Sequence, residues 1–198
     1  MSRDDSAGAG SILLAFIMTV APAIGADDIA FLAPDAPGRT WYPYSFLVPM
    51  EQNEPFLGES LATLERLVED LKRDGVESSR IALAGFSQGA CLSLEFAARH
   101  AAKYAAIVAF SGGLIGPPGT ARDYKGSFDG TPIFIGCSDV DPHIPVERVR
   151  ESTRVLSRMG ARVDERIYPA MGHVIVDDEL RAAAVLLRPA RDRRQSPN

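Results

Sequence analysis

The sequence predicts an α/β protein, a mostly parallel sheet with helices on both faces. Two observations carry this reading. Short apolar runs alternate along the chain with segments of helical spacing. The pattern Gly85-Phe86-Ser87-Gln88-Gly89 stands directly between one such run and the helical segment that follows it. In sheets of this kind the chemistry sits at the carboxyl ends of the strands.

The elements follow in chain order. Residues 12–20 are mostly apolar but too short to span a membrane. The residues before them carry Arg3 against Asp4 and Asp5, not the positive stretch that a signal peptide needs, so 12–20 reads as a buried helix. Residues 29–33 form a buried strand ended by Pro34, and 39–55 a loop rich in proline and aromatics, among them Trp41, Tyr42, Tyr44 and Phe46. Leu61, Leu64, Leu67, Val68 and Leu71 keep helical spacing up to Gly75, which stops the helix. Residues 81–84 are a second strand, 88–103 a helix of small residues, 106–110 a third strand and 132–136 a fourth. Val146, Val149, Thr153 and Leu156 face one side of a helix that Gly160 ends. In the fifth strand, 162–168, Val163 and Ile167 alternate against charges, and Leu180, Ala183, Ala184 and Leu187 mark the last helix. Residues 1–188 form one domain, and the polar, Arg-rich stretch 189–198 a disordered tail.

Composition narrows the functions. The 198 residues hold 21 Lys+Arg and 26 Asp+Glu, a formal charge of −5, with 46% hydrophobic residues. That excludes disordered, collagen-like and coiled-coil chains. A pI near 5.2 argues against nucleic-acid binding and against a basic membrane-surface role. Cys91 and Cys137 form neither a disulfide scaffold nor a metal-like pair and read as buried thiols. No metal site is expected.

The G-x-S-x-G pattern after a strand and before a helix is a nucleophile elbow. The sharp turn holds Ser87 in a strained conformation, and glycines at 85 and 89 leave room where a Cβ would strike neighbouring backbone. The Gln88 N–H, at the helix start, points where an oxyanion would develop. Such a serine needs a base, and the base needs an orienting acid. His173, just beyond the last strand, is the base candidate. His143 lies in a loop that could line the pocket, and His100 reads as a solvated residue at a helix C-terminus. Asp139 and Asp141 follow the fourth strand. Asp141 is preferred because Pro142 and Pro145 fix the loop around it, with Asp139 as the alternative. The order Ser87, Asp141, His173 is that of α/β-hydrolases.

At residues 26–187 the chain resembles the phospholipase/carboxylesterase family of α/β-hydrolases, which includes the acyl-protein thioesterases. The carriers are Phe31-Leu32-Ala33-Pro34, Trp41-Tyr42-Pro43, Gly85-Phe86-Ser87-Gln88-Gly89-Ala90, Ser111-Gly112-Gly113, Cys137-Ser138-Asp139-Val140-Asp141-Pro142-His143-Ile144-Pro145 and Tyr168-Pro169-Ala170-Met171-Gly172-His173. The resemblance implies Asp141 as the acid. It also implies hydrolysis of esters or thioesters of small to medium acyl groups, no cofactor, a cytoplasmic setting and often a homodimer. It favours Trp41 and Tyr42 as walls of the substrate pocket.

One departure stands out. Family members begin with a mid-sheet strand ending in H-G-x-G, whose loop supplies the second oxyanion donor. Here residues 1–6 stand in that place, Arg3 matches the donor only loosely, and Asp4 occupies a glycine position. The fold is therefore expected to be N-terminally shortened. Strands 29–33 and 81–84 would be left with unpaired backbone groups unless they close on each other or residues 11–20 fill the gap. The expected function is a serine carboxylesterase. The alternatives are an acyl thioesterase of acyl-protein or lysophospholipid type, and a weakly active remnant that binds acyl compounds.

Overall fold

The computed structural model describes residues 12–14, 29–36, 38 and 40–187. Arg3, Asp4, the stretch 15–28 and the segment 189–198 lie outside them.

Among the described residues the strands are β1 (Ile12–Leu14), β2 (Ala30–Leu32), β3 (Ile81–Phe86), β4 (Ala106–Phe110), β5 (Pro132–Ser138) and β6 (Arg162–Tyr168). They form one sheet in the order β2-β1-β3-β4-β5-β6, and each neighbouring pair is parallel. The helices are α1 (Phe56–Arg73), α2 (Gln88–Arg99), α3 (Val146–Arg158) and α4 (Asp177–Leu187).

The start of the sheet corrects the helix expected over residues 12–20. Ile12–Leu14 is a strand between β2 and β3, with Leu13 opposite both Phe31 and Ala82. An apolar run of this length does not itself distinguish a buried strand from a buried helix. Leu14 and Ala30 are far enough apart in the chain for the crossover of a dozen or so residues that parallel neighbours require. The gap between β2 and β3 is therefore filled, and the backbone groups facing it have a ladder to join.

Side chains along the central strands alternate between two apolar layers. Ile81, Leu83, Ile107, Ala109, Ile133 and Ile135 face one core with α1, α2 and α3. Ala82, Ala84, Ala106, Val108, Phe110 and Phe134 face the other, which α4 covers through Ala182, Ala183 and Leu187. Both faces being covered explains why these strands read as continuous apolar runs.

Several boundaries move. β3 runs two residues further than expected, to Phe86, and β5 reaches Ser138. The small-residue helix stops at Arg99, four residues early, because His100 leaves helical geometry (φ −117°, ψ 49°) and Tyr104 N–H is drawn to Thr131 Oγ1 at 2.9 Å. α4 starts at Asp177, with Asp177, Asp178 and Glu179 complementing the positive end of the helix. None of the described helices is long and apolar enough to cross a membrane.

The placement of β1 is testable through its backbone. Leu13→Pro removes a ladder N–H in the middle of the sheet. We expect a loss of at least about 2 kcal/mol, read as a lower urea midpoint. An unchanged midpoint would remove β1 from the sheet.

Candidate active site

The site is built from the carboxyl ends of β3, β5 and β6. At the end of β3 the chain turns directly into α2, and Ser87 takes up the turn with φ 54° and ψ −119°, in the left-handed half of conformational space. The turn is tight enough that a Cβ on Gly85 would sit 2.3 Å from the backbone carbon and oxygen of Gly89. Gly89 differs from expectation: among the described residues a Cβ there meets nothing closer than Trp41 Nε1, at 3.9 Å. Only the first glycine is demanded by backbone crowding. Ser87 N–H donates to Phe110 O at 2.9 Å, tying the turn to β4.

Ser87, His173 and Asp141 come together in one hydrogen-bonded line. His173 Nε2 lies 2.8 Å from Ser87 Oγ, and His173 Nδ1 lies 2.7 Å from Asp141 Oδ2. An ionised Asp141 can only accept, so the proton sits on Nδ1 and Nε2 is left to accept from the serine hydroxyl. The Asp141 side chain is fully buried and that of His173 is 18% exposed. Burial alone would raise the Asp141 pKa. The hydrogen bonds from His173 and from the His143 and Ile144 N–H groups outweigh it and hold the carboxyl below its ordinary value. Those two backbone bonds, at 2.8 and 3.0 Å to Oδ1, are made by the Pro-flanked loop.

Asp139 does something else. Its Oδ1 accepts the Ala170 N–H at 2.7 Å, bracing the turn that carries His173, where Ala170 has φ 52°. Ser138 Oγ adds a bond from Gly172 N–H at 3.1 Å. The imidazole of His173 is flanked by Phe86 and His143, each ring centre 4.8 Å away. His100 lies elsewhere, stacked on Phe96 at the end of α2.

A cavity of about 440 Å³ opens onto Ser87. Tyr42, Phe46, Leu47, Cys91, His143 and Ile144 are among its walls. Trp41 is not among them. It lines a neighbouring cavity of about 350 Å³ with Thr40, Phe56 and Ser60. Successive residues in this extended segment serve different cavities. Gln88 is the first residue of α2, beside Ser87, whose first N–H groups have no partner within the helix. Arg3, the other expected oxyanion donor, lies outside the described residues.

Sequence reasoning did not single out Glu179. Its carboxylate is fully buried, and Oε2 accepts the Val176 N–H at 2.9 Å in the loop that follows His173. Oε1 has no hydrogen-bond partner among the described residues and occupies the space beside Gly136, where a Cβ would lie 2.1 Å from it. Burial pushes the Glu179 pKa up to about 7. The signal was present as a glycine in an otherwise bulky strand, but only the fold shows what fills the space.

Glu179 makes a prediction with a definite sign. Folding raises its pKa, so the stability present below about pH 4.5 declines as pH climbs through 7. The difference reaches at most about 3 kcal/mol. Glu179→Gln keeps the acceptor for Val176 and cannot ionise. We expect it to stabilise the protein relative to wild type at pH 8 and to lose that advantage at pH 4.5, measured by urea unfolding at both values. An effect independent of pH would contradict the assigned burial.

Comparison with known proteins agrees with this architecture. A family model described as phospholipase/carboxylesterase matches residues 16–189. The chain is 30% identical over 137 residues to acyl-protein thioesterase 1 of Saccharomyces cerevisiae, covering 65% of this chain and 58% of that protein. It is 33% identical over 117 residues to acyl-protein thioesterase 1 of Gibberella zeae, covering 58% and 49%. The chain thus spans about half the length of these relatives. Among solved structures, the phospholipase/carboxylesterase of Dyadobacter fermentans superposes with a TM-score of 0.83 at 39% identity, over 91% of this chain and 90% of that one. A Bacillus cereus carboxylesterase, at 17% identity and a TM-score of 0.70 over 91% and 88% of the two chains, shares the fold. On a family match covering most of its length and an α/β-hydrolase sheet with a serine elbow, the chain belongs to the phospholipase/carboxylesterase family.

Proposed function

We propose that this protein is a serine hydrolase that cleaves carboxylic esters of small to medium acyl groups through an acyl-enzyme. The observation that carries the reading is the line from Ser87 Oγ through His173 to Asp141, set at an open cavity with apolar walls. Ser87 Oγ bonds to the acyl carbon as its proton passes to His173 Nε2. The C–O bond to the leaving alcohol breaks, and that alkoxide takes the proton from His173. Water then attacks the acyl-enzyme, giving a proton to His173, which returns it to Ser87 Oγ as the carboxylic acid departs. Asp141 keeps the imidazole in the working tautomer and stabilises the imidazolium. The Gln88 N–H and the positive end of α2 stabilise the oxyanion.

Thioester hydrolysis is the second reading, favoured by the acyl-protein thioesterases among the relatives. The same residues would carry it, with a thiolate leaving. A remnant that only binds acyl compounds would keep the pocket but not the reactivity.

A fluorophosphonate separates these outcomes. We expect stoichiometric labelling of wild type, none of Ser87→Ala, and no ester turnover by that variant. An unlabelled wild type would favour the remnant, and turnover retained in Ser87→Ala would end the serine mechanism. The two aspartates should also separate. Asp141→Asn should lower kcat by about 10⁴, whereas Asp139→Asn, which keeps an acceptor for Ala170, should lower it by less than about tenfold. The reverse ranking would reassign the acid.

A further inference from the structure

Gln88 lines the cavity at Ser87, and its side chain is tied to the segment that carries Tyr42. Oε1 accepts the Trp41 N–H at 2.7 Å and stands 3.2 Å from the Thr40 hydroxyl, which shares its one proton between Oε1 and Tyr42 O, 2.9 Å away. Nε2 donates to Tyr42 O at 2.8 Å. One amide thus grips three successive residues from more than forty positions earlier in the chain. Tyr42 is a wall of the cavity at Ser87, and Trp41 a wall of the cavity beside it. We propose that the Gln88 side chain is a positioning residue for acyl-chain selectivity: it fixes the Tyr42 wall of the acyl cavity at a set distance from the N–H and hydroxyl that act on the acyl carbon. This rests on the esterase reading.

The chemistry of the grip favours this role over a merely structural one. The 40–45 segment has other fasteners. Ser60 Oγ donates to Trp41 O at 2.7 Å, and the buried Asn53 accepts the Tyr44 N–H at 2.8 Å and donates to Ser45 O at 3.1 Å. These tie the segment to α1 and to the 3₁₀ turn Met50–Asn53. Gln88 ties it to the residue next to Ser87. Losing it leaves the segment attached but lets the wall shift relative to the reacting atoms. A long acyl chain, which must lie along that wall, feels the shift. An acetyl group does not reach far enough to do so.

The test uses p-nitrophenyl acetate and hexanoate with wild type, Gln88→Met and Thr40→Val. Gln88→Met preserves length and removes both polar atoms. Thr40→Val leaves Gln88 in place and removes the hydroxyl that touches both Gln88 Oε1 and Tyr42 O, loosening the same wall from its other side. We expect the ratio of kcat/KM for hexanoate over acetate to fall about tenfold in Gln88→Met, the weight of one or two neutral hydrogen bonds, and about threefold in Thr40→Val. The loss should appear mainly as a raised KM for hexanoate. Trp41 is the protein's single tryptophan, so its emission reports on the same grip. It should shift to the red and lose anisotropy in Gln88→Met. Any disturbance of the Gln88 N–H acts on both esters and divides out of the ratio, so a hexanoate-to-acetate ratio within twofold of wild type in both variants would overturn the inference. If Gln88→Met does not fold, Thr40→Val decides alone. A wild type that hydrolyses neither ester overturns the esterase reading and this inference with it, whereas hydrolysis with an unchanged ratio overturns this inference only.

Discussion

The structure depends on a reversal of the chain in a space too small for a side chain at its first residue. β3 must deliver Ser87 to the sheet edge, and α2 must start at once. The passage forces Ser87 to φ 54° and presses Gly85 against the backbone of Gly89. Strain of that kind costs about 1–3 kcal/mol and persists only where the surroundings over-determine it. Here they do. β3 pairs with β4 from Ala82 to Phe86, Ser87 N–H reaches Phe110 O, and α2 is buried from Ala90 to Ala98. The core holds the elbow, and the elbow holds the serine clear of the sheet.

The opposing loops solve a different problem. Asp141 and His173 come from the ends of β5 and β6, strands that pair in register to their last residues, Ser138 opposite Tyr168. The ladder brings the two loops side by side, and short polar contacts finish the alignment. Asp139 takes the Ala170 N–H, Ser138 takes the Gly172 N–H, and Asp141 takes two amides of its own loop. Of the two adjacent carboxylates, the exposed one braces a turn and the buried one meets the imidazole. The pairing of strands thus reaches the site as a His173–Asp141 distance of 2.7 Å.

What could be read from the sequence divides along the same physical lines. The central strands were legible because both faces are covered, which leaves an unbroken apolar run. Ser87 and Asp141 follow such runs, His173 follows a strand whose apolar residues alternate with charges, and their order in the chain suits the topology, which is why the sequence pointed to these three. Residues 12–14 were not. A three-residue strand has too little pattern to separate it from a helix, and its pairing is set by neighbours far along the chain. The split between Trp41 and Tyr42 was hidden for a related reason. In an irregular segment no period assigns a side chain to one cavity or the other. Glu179 was hidden because a carboxylate in the first turn of a helix ordinarily reads as a solvated partner of the dipole, and nothing local says that Gly136 opens a space for it.

The two thiols close the argument about why Ser87, rather than a cysteine, is the reactive group of the proposed reaction. A thiolate is the better nucleophile, and Cys91 lies one helical turn from Ser87 in the same cavity wall. But burial pushes the Cys91 thiol up to about 12, against the weaker opposing pull of the Gly113 N–H. Burial and then the Asp141 charge do the same to Cys137, also to about 12. Asp141 in this way acts in two directions at once. It favours the protonated thiol of Cys137, which approaches it at 3.8 Å, and it accepts from the imidazole whose other nitrogen lies 2.8 Å from Ser87 Oγ. The Cys137 thiol faces the Asp141 carboxylate and the Ile144 carbonyl at 3.8 Å, whereas Ser87 Oγ has the His173 imidazole at 2.8 Å. In the proposed reaction the elbow hydroxyl therefore has a route for its proton, while burial keeps both thiols protonated.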